Sequence, residues 1–356
     1  MQKIDEEWVE AAVLGGAILG GGGGGSLEEG RRLGRLALEL GSPTILSLDQ
    51  FSDDSLIVTV SAVGAPSADK RPVPSDFVKA ARLLIDHLDG RIDGFMTNEL
   101  GGLAVVNGLV QSAILELPIV DAACNGRAYP IGTMGAMGLS MSADFISQQA
   151  AIGGSREEGS RVEIYAEGAL AIVSRLVIKA SDEVGGLIAV ARNPLPVAYI
   201  KENAAVGALS QAIELGEAYL EGQTGVERVE RTVAALDGSI ATWAKVDSLS
   251  LTVQGGLDVG HVRVGEYELT FWNEYMTLER DGERIATFPD LIMTMEAGTG
   301  QPLSSARVRQ GQQIAVITVP RDNLNLGAGM RDPKLFYDVE KVIGKEIVKY
   351  VFPEEQ

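Results

Sequence analysis

The chain has 356 residues, 46% of them hydrophobic, and a formal charge of −19. That length supports two domains and a sizeable core, while the charge excludes nucleic acid and an anionic membrane surface as natural partners. A single cysteine, Cys124, excludes a disulfide framework and a cysteine-rich zinc site, and two separated histidines, His87 and His261, exclude a histidine cluster. The N-terminus is acidic where a signal peptide is basic, and the apolar run Ala11–Leu19 is too short to span a bilayer. A cytoplasmic protein is expected.

The first helix is predicted over Ile4–Leu19, followed by six consecutive glycines, Gly20–Gly25. Ser26 with Glu29 three residues on forms a capping-box signature for a second helix over Leu27–Leu40. A glycine loop entering a helix leaves N–H groups open to an anionic or strongly polar ligand. Here the loop follows a helix and not a strand, which departs from a dinucleotide fingerprint. Phosphate or nucleotide binding is the weaker alternative.

Strands are predicted at Thr44–Leu48, Leu56–Val63, Ile92–Thr97 and Pro118–Ala122, with helices at Ser75–Leu88 and Leu103–Leu115. This alternation implies an α/β fold with a mostly parallel N-terminal sheet covered by helices on both faces. The segment Ile131–Gly154 reads as an irregular connection or a mobile flap. Beyond it a helix is expected at Tyr165–Lys179, a strand at Gly186–Ala191 and a helix at Asn203–Leu220. After Asp237 the pattern alternates, with strands at Ser248–Gln254, His261–Val264, Tyr267–Trp272, Tyr275–Arg280, Arg284–Phe288, Leu291–Glu296 and Ile314–Val319. Asp281-Gly282 is a two-residue hairpin turn. The tail, Asp332–Tyr350, reads as helix. The expected division is an N-terminal α/β domain over residues 1–160 and an α+β C-terminal domain over 161–356, with antiparallel strands near 238–320.

Ligands of such sheets collect at the carboxyl ends of the strands. Three loops leave those ends: Gly64-Ala65-Pro66, Asn98 through Gly102, and Asp121 through Pro130. They are expected to bring Glu99, Asp121 and Arg127 together, beside the glycine loop.

Several segments carry a family resemblance: Leu14–Leu19 with the glycine run, Val63-Gly64-Ala65-Pro66, Glu99-Leu100-Gly101-Gly102, Leu117–Asp121, Gly126–Pro130, Asn273-Glu274 and Phe288–Ile292. In order and spacing they resemble the S-methyl thiohydantoin desulfurase family, which lies close to hydantoinase and oxoprolinase components. The resemblance implies an α/β N-terminal domain, a family C-terminal domain, and loss of a thiol from a hydantoin-like ring. The chain departs from the family pattern at Ala123 and Ile131, where acids are common, and around Leu103 and Ala104, where an asparagine is usual.

Hydrolysis at such a ring carbon needs an activated water, a proton donor and an orienting pocket. Asp121, Glu99 and Arg127 are the candidate catalytic residues, a carboxylate serving as base and the guanidinium gripping a carbonyl or carboxylate. An internal salt bridge is the alternative role for Arg127, and a loop or helix cap for either acid. Gly22, Gly23, Gly24, Ser26, Gly101, Gly102, Asn273, Glu274 and Asp290 are the candidate substrate-binding residues. Cys124 is weighed as a nucleophile and, with no histidine nearby in sequence, reads better as a packed apolar residue. No motif demands a metal, although Glu99, Asp121, Glu274 and Asp290 are together a carboxylate set of the kind a divalent cation takes. The expected activity is hydrolysis of a cyclic amide at an interdomain cleft by a homo-oligomer. The alternative is a non-catalytic subunit that binds a ligand or a hydantoinase-type partner.

Overall fold

The computed structural model describes residues 2–64, 70–88, 91–254 and 257–355. In chain order the first half contains β1 Gln2–Lys3, α1 Glu6–Leu19, α2 Leu27–Leu40, β2 Thr44–Leu46, β3 Leu56–Val63 and α3 Pro74–Ile85. It continues with β4 Gly94–Thr97, α4 Leu109–Leu115, β5 Ile119–Ala123, β6 Ile146–Gly153, β7 Val162–Ala169 and α5 Leu170–Val184. Then come β8 Ile188–Pro196, α6 Val197–Asn203, β9 Ala205–Val206, α7 Ala208–Leu220 and α8 Gly225–Ala235. The rest is β10 Ser239–Gln254, β11 Leu257–Val264, β12 Tyr267–Trp272, β13 Glu274–Arg280, β14 Glu283–Thr287, β15 Leu291–Glu296, β16 Pro302–Leu303 and β17 Gln313–Val319. Two helices, α9 Pro333–Ile343 and α10 Val348–Val351, close the chain.

The first sheet has nine strands in the order β1-β2-β5-β4-β3-β8-β6-β7, with β9 on β5. Its centre, β2-β5-β4-β3, is parallel, and antiparallel pairs flank it. The second sheet has eight strands in the order β14-β13-β12-β11-β10-β17-β15-β16, all antiparallel. The fold is therefore α/β with a separate antiparallel domain, as the alternation predicts.

Strand periodicity explains how helices cover both faces of the first sheet. On β6, Ala150 and Ile152 join the core that holds Phe77 and Ala81 of α3, while Ala151 packs with Val177 of α5 on the other face. The second sheet divides its residues in the same way. Leu291, Met293 and Met295 enter the core shared with α1 and α7, whereas Ile292 packs with Val246, Phe271 and Tyr275. Two cores thus share one sheet, which fixes the antiparallel half against the helices.

Helix α1 is capped by Asp5, which accepts from the Trp8 N–H at 3.0 Å. It crosses α7 so closely that a Cβ on Gly15 would stand 1.7 Å from the Ala212 carbonyl oxygen. At α2 the Ser26 hydroxyl accepts from the Glu29 N–H at 3.2 Å. The Glu29 carboxylate turns to Arg32, so only half of the predicted capping box forms.

Several elements differ from the sequence reading. The stretch expected to be helical from Tyr165 begins as β7, because Val162 and Ile164 alternate inward onto the α5 cluster while Glu163 and Glu167 face out. The irregular segment after Ile131 ends as β6, inside the first sheet. The expected Leu103–Leu115 helix is a short turn over Ala104–Val106 and then α4, separated by Gly108 at φ +98°. The first sheet also takes in β7 and β8, beyond residue 160. Ala65 and Pro66 of the first strand-end loop lie outside the described residues. Asp281 and Gly282 both have positive φ, the conformation that the predicted hairpin turn requires.

Candidate active site

At the carboxyl ends of β3 and β4 the two sheets line a cavity. The first sheet contributes Asn98 and Glu99 after β4, and Arg192 from β8. The second sheet contributes Asn273 and Glu274, and the start of α2 contributes Gly24, Gly25 and Ser26.

The glycine loop is both a tie and a wall. Gly21, Gly22, Gly24 and Gly25 have φ between +56° and +100°, a region that disfavours side chains. The Gly21 carbonyl accepts from Tyr275 N–H at 2.8 Å and the Gly22 carbonyl from Ser305 N–H at 2.9 Å. Gly24 accepts from the N–H groups of Leu103 and Ala104, both at 3.0 Å. The Gly21 and Gly22 bonds tie the loop to the second half of the chain, and the Gly24 bonds tie it to the segment after β4. Among the described residues, the N–H groups of Gly24, Gly25 and Ser26 have no protein acceptor, and all three residues line the cavity. Open N–H groups beside the positive end of α2 suit a polar or anionic atom.

The neighbouring glycines serve packing. A Cβ on Gly101 would lie 2.2 Å from the Gly24 Cα, and one on Gly102 3.0 Å from the Gly25 carbonyl oxygen. Gly22 packs against the Tyr275 ring, and a Cβ on Gly23 would lie 1.8 Å from Glu274 Oε1. Of the predicted glycines, only Gly24 faces the cavity; Gly22, Gly23, Gly101 and Gly102 support it from behind.

Two carboxyl groups meet in the cavity wall. Burial pushes Glu99 up to about 8, against the opposing pull of Arg192, the Tyr129 N–H and Asn98. Glu274 is 2% exposed, and its Oε2 has no partner. Burial raises its pKa well above the carboxylate range, the Glu99 charge adds to the rise, and Arg127 opposes it. The two acids disfavour simultaneous ionisation, so they titrate as a pair. Arg192 is 6% exposed, and no hydrogen bond or ion pair among the described residues engages its guanidinium. Among the described residues it is therefore an unpaired cation at the cavity, and its charge acts on Glu99.

Asn98 and Tyr129 brace the wall. The Tyr129 hydroxyl donates to the Asn98 carbonyl at 3.3 Å and accepts from Asn98 Nδ2 at 3.3 Å. Asn107 Nδ2 donates to Asn98 Oδ1 at 3.1 Å, leaving the buried Asn107 Oδ1 without a partner at the cavity. Asn273, at φ +54°, is clamped by its own Oδ1 accepting from Asp258 N–H at 2.9 Å.

The other predicted site residues are placed elsewhere. Asp121 lies within β5 on the side that α7 covers, and accepts from Ser210 N–H at 3.0 Å and from Ser210 Oγ at 2.6 Å. It caps the first turn of α7 and does not line the cavity. Arg127 is fully buried, with Nη1 donating to the carbonyls of Pro289 and Asp290 and the guanidinium 4.5 Å from the Phe288 ring centre. It stands behind the glycine loop and not in the cavity, because the Asp121–Pro130 loop turns it toward the second sheet. Asp290 is a turn residue: its carboxylate accepts from Thr287 N–H and from Arg321. Cys124 is buried with its sulfur 3.3 Å from Thr59 Oγ1, and burial pushes the thiol up to about 11, the behaviour of a packed residue. Glu99, Asp121, Glu274 and Asp290 do not converge, and among the described residues no three His, Cys, Asp or Glu side chains are arranged to hold a metal ion.

Arg192, Asn98 and Asn107 escape the sequence reading. Arg192 did leave a signal, since it is a lone cation in the apolar run Leu187–Ala191 and the residues after it. The expected strand ended one residue short of it. Asn107 is not visible, because the break at Gly108 that turns it inward depends on packing against Val60 and Ile119.

No helix among the described residues is long and apolar enough to cross a membrane. The structure is similar to a crystal structure of a protein from Chromobacterium violaceum, with 22% identity, a TM-score of 0.72 and 96% of each chain covered. No curated protein matches the sequence. The profile described as "S-Me-THD-like, N-terminal domain" matches residues 7–149, and "S-Me-THD-like, C-terminal domain" matches 169–330. With the glycine loop of the first region and Asn273-Glu274 of the second meeting at one cavity, the chain belongs to the S-Me-THD-like family.

Proposed function

We propose that the protein is a hydrolase acting on a hydantoin-related cyclic amide, of the S-methyl thiohydantoin desulfurase type, in the cavity between the two sheets. The observation that carries this reading is the pair Glu99 and Glu274, two carboxyls of raised pKa beside the guanidinium of Arg192. Once such a pair has lost its first proton it holds a base and an acid at once.

The ring lies against the N–H groups of Gly24, Gly25 and Ser26, and Arg192 holds a ring carbonyl. Water attacks the ring carbon that bears the S-methyl group, forming a C–O bond as its proton passes to the ionised carboxylate. The protonated partner delivers its proton to the ring nitrogen, so that the C=N bond becomes C–N–H. Collapse to the carbonyl then breaks the C–S bond, and the thiolate leaves as methanethiol with the remaining hydroxyl proton. The products are a hydantoin and a thiol, with no redox change. The donors around the cavity suit the charge that develops on the ring.

The test is turnover of an S-methyl thiohydantoin by purified protein, read as thiol release, alone and with hydantoinase-type proteins supplied. Release that falls at least tenfold in Glu99→Gln and Glu274→Gln is expected. No release across a panel of cyclic amides, with tight hydantoin binding retained, would favour a non-catalytic binding subunit.

A further inference from the structure

Glu274 and Arg127 pack against the same glycine loop without forming an ion pair. A Cβ on Gly23 would meet Glu274 Oε1 at 1.8 Å, and one on Gly21 would meet Arg127 Nη2 at 2.5 Å. Both side chains are buried. Glu274 Oε2 and the Nε and Nη2 of Arg127 have no hydrogen-bond partner among the described residues. The guanidinium is nonetheless held firmly, by two carbonyls at Nη1 and by the Phe288 face. Burying a cation with open donors costs several kcal/mol and is poor value as structure alone.

The groups that face Glu274 divide by sign. Glu99, after β4, and Asp258, on β11, disfavour its ionisation, while Arg127 favours it. Burial lowers Arg127 only to about 10, so it remains a cation at neutral pH. The glycine loop lies where either side chain would be displaced by a Cβ, which explains glycine at Gly21 and Gly23 independently of any ligand.

We propose that Arg127 is a positioning residue that acts through Glu274: from behind the glycine loop it supplies a positive charge that favours the ionised form of Glu274 within the carboxyl pair. The inference rests on the acid–base reading of Glu99 and Glu274 given above. It gives Arg127 a role in the reaction without contact to substrate.

The experiment is a carboxyl titration followed by infrared difference spectroscopy on the full-length protein, with Glu274→Gln identifying the Glu274 band. Arg127→Met is expected to move the Glu274 midpoint up by about one pH unit or more, as loss of a nearby opposite charge does. Arg127→Lys, which keeps the charge, should hold it closer to the wild-type value. Gly21→Ala, which displaces the guanidinium without removing it, provides a second perturbation if Arg127→Met does not fold, and should also raise the midpoint. An unchanged midpoint in a folded Arg127→Met or Gly21→Ala protein overturns the proposal. Because this readout needs no turnover, it fails separately from the proposed activity. Where thiol release is measurable, its pH profile should shift with the midpoint, and Arg127→Met should not shift it further in a Glu274→Gln background.

Discussion

Replacing Glu99 by glutamine tests the electrostatics of the site without relying on a substrate. In the unfolded chain a glutamate loses its proton near 4.5, whereas folded Glu99 keeps it to about 8. Below pH 4.5 both states hold the proton, and ionisation does not affect stability. Between those values the folded state binds more protons, so stability falls as pH rises, and above about 8 the loss is complete. Each tenfold change in ionisation is worth about 1.4 kcal/mol, which sets an upper bound on the order of 5 kcal/mol for the full displacement. Solvent reaching the carboxyl through the cavity reduces this to about 1–2 kcal/mol. The Glu99→Gln protein carries no such penalty. Its melting temperature relative to wild type should therefore rise by about 1–3 °C between pH 5 and pH 9. Other groups titrate in both proteins and largely cancel, while relief of Glu274 adds in the same direction. Scanning calorimetry at closely spaced pH values reads the difference directly. Parallel melting curves from pH 5 to 9 would refute the raised pKa and, with it, the acid–base pair.

Further outcomes follow from the same geometry. Arg192→Met removes the cation that holds Glu99 down, so the high-pH limb of the activity profile should move upward and KM should rise, both read in steady-state assays. Asp121→Ala should lower stability by about 1–2 kcal/mol through loss of the Ser210 cap, with kcat within about threefold of wild type. A large fall in kcat at full stability would instead return Asp121 to the chemistry. Gly23→Ala forces the Glu274 carboxyl aside; a stability loss of about 1–3 kcal/mol and a tenfold or greater fall in thiol release are expected. Native protein should resist iodoacetamide at Cys124 and react only when unfolded, as mass spectrometry would show.

Local chemistry in the sequence determined much of this protein. Ser26 before Leu27–Leu40 caps the helix it announces, and the β-branched run Leu56–Val63 is a strand with the predicted bounds. Asp281-Gly282 makes the hairpin its composition requires, and the family motifs fall in the two matched regions of the chain. These features depend on residues a few positions apart, or on spacing along the chain. The tertiary structure decided which polar groups face the cavity. Asp121 and Glu99 are both candidates in sequence, each near the end of an apolar strand. Only the covering of β5 by α7 turns Asp121 to Ser210, while the end of β4 opens onto the cavity. Arg127, expected at the strand-end loops, packs behind the glycine loop for the same reason, and Arg192, which the sequence did not single out, acts on Glu99 at the cavity. The direction of a side chain at a strand end depends on what packs against that strand, and those partners come from segments more than 80 residues away.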